Sequence, residues 1–211
     1  MTTEGIGLRE RKRLATRHAI QLACLTLVEG SGLDKVTVEQ ISARADVSPR
    51  TFFNYFPTKE AALVGDPPAL PAEDELQSFV TAGTSEGILV GIGGLLARSA
   101  ATSEDKDIVN LRRKLLNKYP HLFAMRMGAV HQLEDQLAAV VSRRLTIDEP
   151  VLARDAAALA GRSRLIALVA LAALRHAWSK WAGAGGGPGL PRRVRESFDE
   201  LETVLGGVGA R

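Results

Sequence analysis

"VTVEQISARADVSPRTFFNYFPTKEAAL" (residues 36–63) carries three helix-start signals in one short stretch. Thr37 followed by Gln40 is a capping-box pair, in which the hydroxyl accepts an N–H of the first turn and the amide reaches back to the cap. The following "VEQISARA" predicts a short helix with Val38, Ile41 and Ala45 turned inward. Asp46 and Val47 make a brief connection. Ser48 then caps a second short helix, and Pro49 occupies its first position, where a missing N–H costs nothing. This helix is expected to run to about Tyr55 before Pro57 stops it, and Thr58 caps a third, "KEAALV".

On the middle helix, at about 100° per residue, Phe52 and Phe56 share a face with Phe53 beside them. Arg50 and Asn54 lie nearly opposite, and Thr51 and Tyr55 form the flank. The three aromatics are therefore expected to anchor the helix while its polar side faces out. Residues 9–29 place Leu14, Ile20, Ala23 and Leu27 at helical spacing, and Gly30 and Gly32 end that run. A long helix bracing two short ones joined by a tight turn is a helix-turn-helix, whose second short helix enters a DNA major groove.

The side chains suit that docking. Arginine can meet guanine O6 and N7 in bidentate fashion, and asparagine can meet adenine N6 and N7. Hydroxyls, tyrosine and lysine at helix ends suit phosphate. Arg50, Thr51 and Asn54 are assigned to the bases, and Thr37, Ser48, Tyr55 and Lys59 to the backbone. The cluster Arg9, Arg11, Lys12 and Arg13 is assigned to flanking phosphate or the minor groove.

The charge distribution agrees. The 211 residues carry 27 Lys and Arg against 24 Asp and Glu, a net charge of +3. Residues 1–59 hold nine of the bases and six of the acids, so the whole surplus sits in the first quarter, where it would attract a polyanion. A composition of 45% hydrophobic and 24% charged residues is that of a folding chain. The first residues lack the apolar core of a secretory signal, and the apolar run 165–174 is shorter than a membrane span, so the chain reads as cytoplasmic with no membrane partner. A single cysteine, Cys24, among apolar neighbours, predicts a buried structural thiol.

After "GDPPALPAED", which reads as a linker, helical periodicity predicts helices at roughly 73–80, 85–101, 104–118, 120–145, 151–182 and 190–205. No strand is expected. The fold class is all-α: a helix-turn-helix domain over 1–65, then a larger helical domain over 66–211.

Residues 36–63 closely resemble the DNA-binding segment of the TetR family of bacterial transcriptional regulators, in the capped helix, the tight turn, the Ser-x-x-Thr-aromatic-aromatic-x-Tyr-Phe pattern and the following lysine. The resemblance covers about residues 9–65. It implies an all-helical homodimer, usually a repressor, whose C-terminal domain binds a small molecule that lowers DNA affinity. It carries DNA contacts to Thr37, Ser48, Thr51, Asn54, Tyr55 and Lys59. Phe53 departs from the pattern, standing where many members have a tyrosine that bonds phosphate. "ERKRLATRHAIQLA" and "SPRTFFNYFP" further resemble a TetR branch with an acyl-CoA-like ligand-binding domain.

Two readings extend the C-terminal half. The last two long helices are expected to form a dimer bundle, as the resemblance implies, and docking geometry also calls for a dimer, because two recognition helices must lie about 34–36 Å apart to read successive major grooves of a palindromic operator. The stretch "YPHLFAMRMGAVHQL" (119–133) gathers Phe123, Met125, Met127 and His131 beside Arg126, soft apolar groups near a cation that would suit a fatty acid or acyl-CoA. Arg112, Arg113, Arg175, His176 and Trp178 join them as candidates.

An enzyme finds little support. "GIGG" (91–94) follows no strand, and "GAGGGPGLP" (183–191) lacks the Lys-Ser/Thr end of a phosphate loop. The four histidines have no ligand spacing for a metal, so no metal, cofactor or catalytic residue is expected. The alternative to a regulator is a helical protein-interaction module that binds through the phenylalanine-rich helix.

Overall fold

The computed structural model describes residues 7–66, 69–84, 86–101, 106–128, 131–184 and 188–208. Eleven helices run through them: α1 (Leu8–Ser31), α2 (Val38–Arg44), α3 (Pro49–Tyr55), α4 (Lys59–Val64), α5 (Glu73–Val80), α6 (Ile88–Ala101), α7 (Lys106–Lys118), α8 (Pro120–Gly128), α9 (His131–Asp148), α10 (Ala156–Gly183) and α11 (Leu190–Val208). No strand occurs among the described residues, and the fold is all-α with an N-terminal helix-turn-helix. The helix expected over 120–145 is represented by α8 and α9, with residues 129 and 130 outside those described. α10 begins five residues later than expected. Residues 152–154 form a 3-10 turn, and the Asp155 carboxylate then accepts the N–H groups of Ala157 and Ala158 at 3.0 Å each, which sets the start.

The chain divides into two compact units, Met1–Asp66 with Glu104–Arg126, and Pro67–Ser103 with Met127–Arg211. In the first, α1 packs on α2, α4 and α7. Its core takes Ile20, Cys24, Leu25 and Val28 from α1, Ile41 from α2, Phe52 from α3, Leu63 from α4, and Ile108, Leu115 and Leu116 from α7. Burial of α1 begins only at Ile20, so Leu14, expected inward, is exposed. Burial pushes the Cys24 thiol up to about 12, which keeps it protonated and inert.

The exit of α4 is held by arginines. Arg112 of α7, buried, donates its Nε to Leu63 O at 3.1 Å. Arg126 of α8, also buried, donates to Val64 O, and to Asp66 O at 3.1 Å. Between these carbonyls Gly65 adopts φ 76° and ψ −170°, a region only glycine enters readily, and a Cβ there would stand 2.6 Å from Arg112 Cζ.

The second unit packs α10 against α9 and α11, and α6 against α11. The "GIGG" glycines lie inside α6, and their lack of side chains lets neighbours approach. A Cβ at Gly91 would lie 2.9 Å from the Phe79 ring, and one at Gly93 2.8 Å from Phe198. Arg144 is fully buried, with Nε on Asp148 at 3.1 Å, Nη2 on Gly83 O at 2.7 Å, and its guanidinium 4.7 Å from the Phe79 ring centroid. α10 alone among the described helices is long and apolar enough to cross a membrane by length and composition, and it serves in this unit as a core helix whose Ala167, Ala170, Leu174 and Trp178 are buried.

Candidate nucleic-acid interface

Each helix of the DNA-reading segment starts where its cap dictates. Thr37 Oγ1 accepts Gln40 N–H at 3.3 Å and Gln40 Oε1 accepts Thr37 N–H at 3.0 Å, a complete capping box. α2 ends with Asp46 at φ 54° and Val47 N–H returning to Ser42 O at 3.0 Å, a Schellman closure that supplies the tight turn. Ser48 Oγ accepts Thr51 N–H at 3.0 Å, and the two hydroxyls lie 2.9 Å apart. Thr58 Oγ1 accepts Ala61 N–H at 3.1 Å. Five of the residues assigned to DNA or to helix starts, Thr37, Gln40, Ser48, Thr51 and Thr58, are thus fixed by short local bonds.

The aromatic underside holds two phenylalanines, not three. Phe52 is 0% and Phe56 2% exposed, with ring centroids 6.1 Å apart. Phe53 is 56% exposed, meeting Phe52 only edge-on at 5.5 Å. On the helix it stands about 60° from Arg50, so the two core rings leave it on the outer side. Arg17 fastens the far end of α3 to α1: its Cζ lies 4.2 Å from the Phe56 ring centroid, Nη1 donates to Tyr55 O at 3.2 Å, and Nε bonds Asp66 at 3.2 Å. α3 therefore presents an arc of Phe53, Arg50, Asn54 and Thr51, the first three exposed and Thr51 half-buried.

Lys59 has a structural role beside the one expected of it. Its Nζ donates to Leu33 O at 2.7 Å and Val36 O at 3.0 Å, so two of its three N–H donors are used inside the unit. Inside the unit it pins the α1–α2 turn to α4. Tyr119, just after α7, steadies the same turn, its hydroxyl accepting Leu33 N–H at 3.1 Å.

Arg9, Arg11, Lys12 and Arg13 are exposed on the first turns of α1. An open groove of about 500 Å³ is lined by Gly7, Arg9, Glu10, Lys12, Arg13, Thr16 and Tyr55, which joins the basic cluster to the end of α3. Arg13 makes a forked pair with Glu10 at 2.7 and 2.8 Å. That pairing lowers the Glu10 carboxyl below its usual pKa and raises the guanidinium of Arg13. In so exposed a place it is weak enough to be exchanged for phosphate.

The residues assigned to a ligand are divided between the two units, Arg112, Phe123 and Met125 in the first and Met127, His131, Arg175 and Trp178 in the second. Met127 is buried and Met125 exposed, because two residues apart on a helix point about 200° away from each other. Phe123 is half-buried and Arg175 exposed. Arg112 is engaged on α4, and Trp178 packs edge-on against Trp181 at 5.1 Å in the second unit's core. The His131 side chain lies outside the described residues. Arg17, Gly65 and Tyr119 were not singled out from sequence. Their partners lie far along the chain, and no local spacing announces them.

Residues 23–64 match the family model of the bacterial regulatory proteins, tetR family. The HTH-type transcriptional regulator TcmR of Streptomyces glaucescens is 27% identical over 154 residues, covering 70% of this chain and 68% of that protein. Among solved structures, FadR of Thermus thermophilus, a TetR-family transcriptional repressor in complex with lauroyl-CoA, is similar at 22% identity and a TM-score of 0.40 over 88% of this chain and 93% of that one. A protein described as a TetR-family transcriptional regulator from Mesorhizobium loti aligns at 18% identity and a TM-score of 0.41 over 92% and 98%.

The capped helices, the tight turn and the outward arc of α3 form a helix-turn-helix of the kind that binds DNA. Over residues 23–64 the chain is similar to the TetR family, whose members are regulators of transcription and not enzymes.

Proposed function

We propose that the protein is a ligand-responsive repressor that binds a palindromic operator as a homodimer in the cytoplasm and leaves it when a small apolar effector binds. The observation that carries this reading is the outward arc of exposed Arg50 and Asn54 with half-buried Thr51, held over the buried rings of Phe52 and Phe56. The functional division is DNA binding over 1–65 and effector binding with dimerisation over 66–211.

Dimerisation through α10 and α11 is supported by the apolar groups these helices leave uncovered. α10 is apolar along its length yet only about a third buried, and its Leu165 is 61% exposed, with Val204 and Leu205 exposed on α11. Uncovered apolar surface of that kind marks a protein contact. The effector class proposed is a fatty acid or acyl-CoA, for which the second unit offers Met127 as a soft apolar group and Arg175 as a cation.

An effector can release DNA only by binding the non-operator conformation better, since equal affinity for both shifts nothing. A duplex enriched from a random pool by the full chain serves as the operator, followed by fluorescence anisotropy, with lauroyl-CoA and laurate as probes. The expected result is at least a five-fold loss of operator affinity at saturating ligand, a coupling of about 1 kcal/mol or more. Unchanged affinity with both probes removes this ligand class and leaves the DNA-binding reading in place.

A further inference from the structure

Phe53 is spare to the core. Phe52 and Phe56 fill the underside of α3, while Phe53 stands 56% exposed between that underside and Arg50. An apolar ring set into a polar reading surface calls for an apolar partner. In the DNA-binding reading on which this inference rests, the ring advances with Arg50 and Asn54 toward the major groove. A phenyl ring has no hydroxyl to give a phosphate, so contact with the backbone would strip water from charged oxygens without replacing it. Along the floor of the groove the base edges are donors and acceptors, apart from one apolar group, the C5-methyl of thymine.

We propose that Phe53 is a specificity-determining residue that reads a thymine methyl in each half-site, beside the base pairs read by Arg50 and Asn54. Its neighbours favour this occupant over another protein or a lipid. The ring is continuous with the DNA-reading arc, and this first quarter of the chain holds the whole positive surplus.

The test uses the full chain and duplexes it enriches from a random pool. Each thymine is replaced in turn by deoxyuridine, which deletes only the methyl, and dissociation constants are measured for wild type and Phe53→Ala. Circular dichroism checks that the variant keeps its helices. One thymine in each half-site is expected at which uracil weakens wild type about four-fold, the worth of one buried methyl-sized group, while Phe53→Ala is indifferent to the change. Half-sites without thymine, a wild type indifferent to every uracil, or a variant as sensitive as wild type would each overturn the assignment of Phe53 alone. A pool that enriches no sequence would remove the DNA-reading function itself and this assignment with it.

Discussion

Phe52→Ala is expected to lower stability by about 3–5 kcal/mol, the usual cost of deleting a fully buried phenylalanine. α3 has seven residues and is far too short to persist alone, so it depends on the rings beneath it. Removing Phe52 takes away the edge and tilted contacts to Phe53 and Phe56 and opens a cavity where α3 packs on α2. Phe53→Ala, one residue away, should lower stability by only about 1 kcal/mol or less because more than half of its surface is already in water. Urea unfolding followed by circular dichroism measures both. Equal effects from the two substitutions would mean that the division of the aromatics between core and reading surface is wrong.

Gly65→Ala should cost a comparable amount for a different reason. Its φ of 76° with ψ −170° strains any side-chain-bearing residue by about 1–3 kcal/mol. The new Cβ would also stand 2.6 Å from Arg112 Cζ, and the buried guanidinium cannot swing clear without giving up Leu63 O. A hydrogen bond from a charged donor contributes about 1.5–3 kcal/mol, so the total expected is about 3–5 kcal/mol. The same unfolding experiment applies. A loss below 1 kcal/mol would show that Arg112 does not hold the α4 exit as described.

How far the sequence revealed these features depends on how local their causes are. Thr37, Ser48 and Thr58 act on N–H groups three residues ahead, so the starts of α2, α3 and α4 could be read from spacing alone. Burial of Phe52 and Phe56 followed from helical periodicity. Phe53 did not, because at about 60° from both Arg50 and Phe56 its side is set by which ring fills the core. Lys59 and Arg112 looked like binding residues by charge, and their engagement on backbone carbonyls depends on partners 23 and 49 residues away. The effector site was least legible, since residues adjacent in sequence along α8 turn to different surroundings, as Met125 and Met127 do.

Operator recognition by this protein requires that the outer edge of α3 touch bases. The direct measurement is the affinity of wild type and Arg50→Ala for the enriched operator and a scrambled duplex at about 50 and 200 mM salt. Wild type should prefer the operator and weaken steeply with salt, and Arg50→Ala should lose about 1–3 kcal/mol at the operator with relaxed sequence preference. A folded wild type that binds neither duplex at low salt, or an Arg50→Ala variant with unchanged affinity and preference, would contradict it.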